Sequence, residues 1–125
     1  MSRILIVDDE PDLVSLLVDQ LTALGHEVVV AENGVQAVEK AIVHRPDLLL
    51  TDVIMPYMDG PEMLERLRAQ PETRDIPVIA LSALTDRGTR EKMLALGVRS
   101  FLPKPYSLRD LADHIRQAIA GEEPA

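Results

Sequence analysis

Residues 48–52 read Leu-Leu-Leu-Thr-Asp, an apolar run that ends on a carboxylate. Three further runs share the design. Ile4-Leu5-Ile6-Val7 leads into Asp8-Asp9, Val78-Ile79-Ala80-Leu81 into Ser82, and Phe101-Leu102-Pro103 into Lys104-Pro105. Short, continuous apolar runs suit the strands of a parallel sheet, which are buried on both faces. Laid side by side, the four runs carry three carboxylates, a hydroxyl and an ammonium to one sheet edge. That set suits a Mg²⁺ site around a carboxylate nucleophile.

Helical patterns fill the gaps. Pro11 opens the first, where its missing N–H costs nothing. Leu13, Leu16, Leu17, Leu21 and Leu24 follow at helical spacing, and Gly25 is a stop signal. Val35, Val38, Ala41 and Ile42 mark a second helix, Met63, Leu64 and Leu67 a third, and Met93, Leu94 and Leu96 a fourth. The fifth starts at Ser107, with Asp110 three residues on as in a capping box. Gly88 falls in or near the first turn of the fourth helix, whose apolar face is short. That helix is expected to be the weakest and a candidate moving part. With strands also at Val28 to Ala31 and Arg99 to Leu102, the chain reads as (βα)5. Right-handed crossovers turn this into a doubly wound, open parallel sheet with helices on both faces.

Length and composition narrow the function. The 125 residues suit one domain, and 46% hydrophobic content fills one core. Tyr57, Phe101 and Tyr106 are the only aromatics, so that core is aliphatic. A net charge of −8 without a basic stripe argues against direct nucleic acid binding. With no Cys, disulfides and thiolate metal sites are excluded. No apolar stretch is long enough to span a membrane, and the first residues lack a signal-peptide layout, so a cytoplasmic location is expected. His26, His44 and His114 are far apart and are expected at the surface.

Each motif has a plainer reading when taken alone. Asp8, Asp9, Glu10 and Asp12 suit a helix N-terminus, where acids favour the macrodipole. Asp52 suits a turn cap, Ser82 a strand-end cap and Lys104 a solvated side chain. Asp59-Gly60 suits turn chemistry. The combination is what points to phosphoryl transfer. Lys104-Pro105 is an X-Pro bond that admits a cis isomer, which would aim the Lys inward.

The order and spacing of Asp8-Asp9, Asp52, Met55-Pro56 through Asp59-Gly60, Ser82-Ala83 and Lys104-Pro105 closely resemble the receiver domain of two-component response regulators. The likeness covers residues 3–120, with a receiver domain over 1–121 and a tail or linker start at 122–125. It implies a flavodoxin-like fold. It also implies that Asp52 accepts a phosphoryl group from a histidine kinase or phosphotransfer protein. Asp9 and Asp52 would ligate Mg²⁺, with Asp8 acting mainly through a water and the Ile54 backbone carbonyl as a further ligand. Ser82 and Lys104 would bind phosphoryl oxygens, and Phe101 would be the switching aromatic. The expected output surface is the fourth helix, fifth strand and fifth helix, facing an effector protein or output domain.

Two departures are informative. Ile54 and Leu84 lie two residues beyond Asp52 and Ser82, where the family tunes water access to the acyl phosphate. Neither side chain can hydrogen-bond a water, so slow self-dephosphorylation is expected. Arg99 and Ser100 stand where many winged-helix regulators carry two acids used in symmetric dimerisation, which argues against that dimer. Two other functions compete with a signalling switch. One is an interaction module of the same fold without the chemistry. The other is a Mg²⁺-dependent phosphatase, which would need a second acid where Ile54 stands.

Overall fold

The computed structural model describes residues 2–53, 58–82, 87–103 and 105–120. Strands β1 (Arg3–Val7), β2 (Glu27–Ala31), β3 (Leu48–Asp52), β4 (Val78–Ser82) and β5 (Val98–Pro103) alternate with helices α1 (Pro11–Ala23), α2 (Gly34–His44), α3 (Gly60–Arg68), α4 (Arg87–Ala95) and α5 (Leu108–Ala120). All strands are parallel, in the order β2-β1-β3-β4-β5. This is the doubly wound arrangement the sequence predicts, and its strand order reverses between β1 and β3. Ligands in such sheets bind beyond the carboxyl ends of the strands at that reversal.

Strand alternation divides the core into two layers. Leu5, Val7, Leu49, Val78 and Ala80 pack with Ala37 and Ala41 of α2, Met63, Leu64 and Leu67 of α3, and Met93 of α4. Ile4, Ile6, Leu48, Leu50, Ile79 and Leu81 pack with Leu17 and Leu21 of α1 and Leu111, Ile115 and Ala118 of α5. Successive residues of one strand therefore serve opposite faces, as the period of two requires.

The helix ends follow from local chemistry. Pro11 is the first residue of α1, and Asn33 caps α2 by accepting from the Gln36 N–H at 2.9 Å. Ser107 and Asp110 form the expected reciprocal pair: the Asp110 N–H donates to Ser107 Oγ at 3.0 Å and the Ser107 N–H to Asp110 Oδ2 at 3.4 Å. Asp59, whose sequence context suits a turn, is the cap of α3 and accepts from the Glu62 N–H at 3.0 Å. In α4, Gly88 occupies the first turn and Met93 is the buried side chain. The three histidines depart from expectation. Each is half-buried, and His114 Nδ1 lies 3.0 Å from Ser100 Oγ across α5 and β5.

Gly34 shows how tightly α2 is seated. A Cβ there would meet Met58 Cβ, Cγ and O, each at 2.9 Å. Gly→Ala inside a helix ordinarily gains about 0.5–1 kcal/mol. Here the clash includes backbone and outweighs that gain, so Gly34→Ala is expected to lose about 1–3 kcal/mol in urea unfolding.

Candidate functional site

The switch point is built by two adjacent strands. β1 and β3 pair with Val7 opposite Thr51, so the next residues, Asp8 and Asp52, emerge at the same sheet edge. On the other side of β3, Asp52 pairs with Leu81, and Ser82 pairs with Pro103. The backbone thus carries residues 8, 52, 82 and 103 to one end of the sheet, with Lys104 next in the chain. Ile54, Leu84 and Lys104, and with Lys104 the bond to Pro105, lie outside the described residues.

The acids have different surroundings. Asp8 is only 2% exposed, Asp52 is half-buried and Asp9 is exposed. Asp8 Oδ1 accepts from the Glu10 N–H at 2.9 Å, and the Asp8 N–H donates to the Ala31 carbonyl at 3.1 Å, which ties the turn after β1 to the end of β2. Asp52 Oδ1 accepts from the Val53 N–H at 2.7 Å, and the Thr51 hydroxyl donates to the Asp52 carbonyl at 2.7 Å. The Gly60 N–H donates to the Val53 carbonyl at 2.9 Å, so the start of α3 is tied to the strand end that carries Asp52. A Cβ on Gly60 would approach that carbonyl to 3.1 Å and Met93 Cε to 3.2 Å. The acid edge, α3 and α4 therefore meet at Gly60.

Among the described residues, no three acidic or His side chains form a group that could hold a metal. Mg²⁺ does not need one. It binds through one or two carboxylates and completes its octahedron with water and phosphate oxygens. A buried carboxylate beside a half-buried one, both hard oxygen donors, fits that chemistry.

Two features escaped the sequence reading. Tyr106 has a buried hydroxyl with no hydrogen-bond partner among the described residues. Burial, and then the nearby Asp8 carboxylate, push its phenol above the ordinary value. Its place just after Lys104-Pro105 was the available signal. The second is Arg90 of α4, whose guanidinium stands over the Phe101 ring, 4.4 Å from its centroid. Such a contact contributes about 0.5–1 kcal/mol at an exposed site and joins α4 to β5. No sequence spacing announces this pair, because only the fold brings the two residues together.

Ionisation of Tyr106 is therefore coupled to folding. The unfolded chain ionises first, so this contribution to stability is complete below roughly pH 10. It is lost as pH rises through the folded value. Urea midpoints measured across that range should fall more steeply for the parent protein than for Tyr106→Phe. Parallel curves would contradict the assignment.

A sequence model of the response regulator receiver domain matches residues 4–116. The chain belongs to that family. As a receiver domain it is 33% identical over 123 residues to the alkaline phosphatase synthesis transcriptional regulatory protein PhoP of Bacillus subtilis, covering 98% of this chain and 50% of that protein. It is 44% identical over 104 residues to the response regulator PleD of Caulobacter vibrioides, covering 83% of this chain and 23% of that protein. The chain spans half or less of the length of these curated relatives. Among solved structures, the receiver domain of a Pseudomonas aeruginosa sensor histidine kinase superposes with a TM-score of 0.87 at 34% identity, covering 95% of this chain and 98% of that one. That structure holds a magnesium ion coordinated in its active site cleft. The chemotaxis protein CheY4 of Vibrio cholerae superposes with a TM-score of 0.88 at 29% identity, covering 94% of this chain and 98% of that one. A signalling receiver is what the family is. No described helix is long and apolar enough to cross a membrane.

Proposed function

We propose that this receiver domain, residues 1–121 ahead of a tail or linker at 122–125, is a working phosphoacceptor with Asp52 as its nucleophile. The observation that carries the reading is the register of β1 on β3, which delivers Asp8 and Asp52 side by side at the switch point. A carboxylate oxygen of Asp52 attacks the phosphorus of a phosphohistidine on a histidine kinase or phosphotransfer protein. The P–N bond breaks, the imidazole keeps the bonding pair and takes up a proton, and an acyl phosphate remains. Bound Mg²⁺ supplies positive charge to the transferring phosphoryl oxygens. Asp8, Asp9, Asp52 and the Ile54 carbonyl are the groups that would hold it. Ser82 and Lys104 bind the phosphoryl oxygens.

Phosphorylation adds about −1.5 to −2 of charge. New charge-assisted hydrogen bonds to Ser82 and Lys104 then bias a two-state element made of the segment after Ser82, α4 and Phe101. The surface of α4, β5 and α5 passes the change to an effector protein or output domain. The domain is a cytoplasmic switch and acts catalytically only on itself. It has no membrane or nucleic acid contact of its own.

One experiment tests this. The protein is incubated with Mg²⁺ and a small phosphodonor, and its intact mass is recorded. A gain of one phosphoryl group supports the switch. No gain supports an interaction module, and multiple-turnover release of phosphate supports a phosphatase. Once formed, the phosphorylated protein should decay slowly, because Ile54 and Leu84 offer no hydrogen bond to an attacking water. Loss of radiolabel within minutes would contradict that expectation.

A further inference from the structure

At the opposite end of the sheet, before β4 and β5 begin, lies a cavity of about 440 Å³ whose walls include Arg68, Arg74, Asp75, Gly97 and Arg99. Each strand is five or six residues long. At about 3.3 Å per residue, the cavity is roughly 17 Å or more from the acid edge. Three arginines and one aspartate line it, on a chain whose net charge is −8.

Arg68 is the fixed member. Its Nε donates to the Leu96 carbonyl at 2.9 Å, and its Nη1 to the carbonyls of Arg74 at 2.9 Å and Ile76 at 2.7 Å. A weaker contact runs from Nη2 to the Gly97 carbonyl at 3.4 Å. These bonds hold the group in place, and each goes to a neutral carbonyl, which leaves Asp75 as the one carboxylate in the cavity wall acting on its charge. Burial lowers its proton affinity, Asp75 offsets part of that effect, and Arg99 adds repulsion between like charges. Gly97 keeps the wall close: its φ is +91°, and a Cβ there would come within 3.3 Å of Arg68 Nη2.

Arg99 reaches this end through a break in the sheet. Val78 pairs with Val98, but Ile79 pairs with Ser100, so Arg99 is an extra residue with no partner on β4. The layers record the same shift. Val98 packs in the α2–α3–α4 layer, while Ser100, two residues later, meets His114 of α5. Bulges of this kind re-aim a side chain and recur beside functional sites. Arg99 has no ion pair among the described residues. Arg74 touches Asp75 only at 4.0 Å, with both side chains largely exposed, and an exposed pair of that kind contributes little.

We propose that this cavity is an oxyanion site in which Arg74 and Arg99 clasp a small phosphate- or carboxylate-bearing ligand above the fixed charge of Arg68. Guanidinium forks bind such groups in bidentate fashion. The ligand bridges the connection before β4 to the connection after α4, and so reaches α4 from the end remote from Asp52. This site does not depend on phosphoacceptor chemistry.

The test is a titration of the full ¹⁵N-labelled chain, free of Mg²⁺, with inorganic pyrophosphate and separately with citrate, against chloride at matched ionic strength. Saturable shifts are expected at the Arg68 Nε–H and at the amides of Gly97, Arg99 and Arg74. The stronger of the two anions identifies phosphate or carboxylate as the preferred group. The double variant Arg74→Gln/Arg99→Gln should weaken binding at least tenfold with its urea midpoint unchanged, since neither side chain is buried. Asp52→Asn should bind as the parent does. Shifts that follow ionic strength without saturating, a double variant of undiminished affinity, or loss of binding in Asp52→Asn would each overturn the proposal.

Discussion

Asp52→Asn is expected to abolish the proposed phosphoryl gain, as read by intact mass, while leaving the fold in place. The amide is nearly isosteric with the carboxylate, and its oxygen can still accept the Val53 N–H that Asp52 Oδ1 holds at 2.7 Å. Urea midpoints should therefore barely move. What the variant lacks is the anionic oxygen proposed to attack phosphorus. Neither adjacent acid is expected to replace it. Asp8 is almost fully buried, with Oδ1 committed to the Glu10 N–H, and Asp9 is exposed in the turn beyond β1. The expected outcome is a single added phosphoryl group on the parent and none on the variant under identical donor and Mg²⁺ concentrations. A variant that still gains a phosphoryl group would place the nucleophile elsewhere.

Leu50→Ala carries the largest expected effect on stability. Leu50 is 0% exposed in β3 and packs in the α1–α5 layer. Truncation removes the transfer free energy of the lost carbons and leaves a cavity that close-packed neighbours fill only partly, together costing about 2–5 kcal/mol. Domains of this size hold only about 5–15 kcal/mol in all, so a large fraction of the stability goes. Leu16→Ala is the matched control. Its side chain is 51% exposed on α1, and a loss within about 0.5 kcal/mol is expected. Urea unfolding of both, at an unchanged slope, checks the contrast. Equal midpoints would contradict the assigned core.

Much of this fold was legible because its signals are local. Buried parallel strands show as unbroken apolar runs, and Pro11 and the Ser107–Asp110 pair mark helix starts within a few residues. The shared position of Asp8, Asp52 and Ser82 at strand ends was visible for the same reason. Strand order was not, since it depends on how crossovers pack rather than on any one segment. Asp59 looked like a turn residue because a cap and a turn use the same side-chain chemistry. The half-burial of His114 depends on Ser100 in another element, and the Arg90–Phe101 contact depends on how α4 lies on β5. The bulge that frees Arg99 is a mismatch of register between two strands, which neither strand encodes alone.

The division of the core into two layers has a mechanical meaning. Phe101 packs against the layer of α2, α3 and α4, while Leu102, its neighbour in β5, is buried in the layer of α1 and α5. A turn of the Phe101 ring would rearrange contacts on one side of the sheet and leave the other side's packing where it was. The α1–α5 layer would then serve as the anvil against which the α4 side is reshaped, and such a ring movement would alter one flank without softening the domain as a whole.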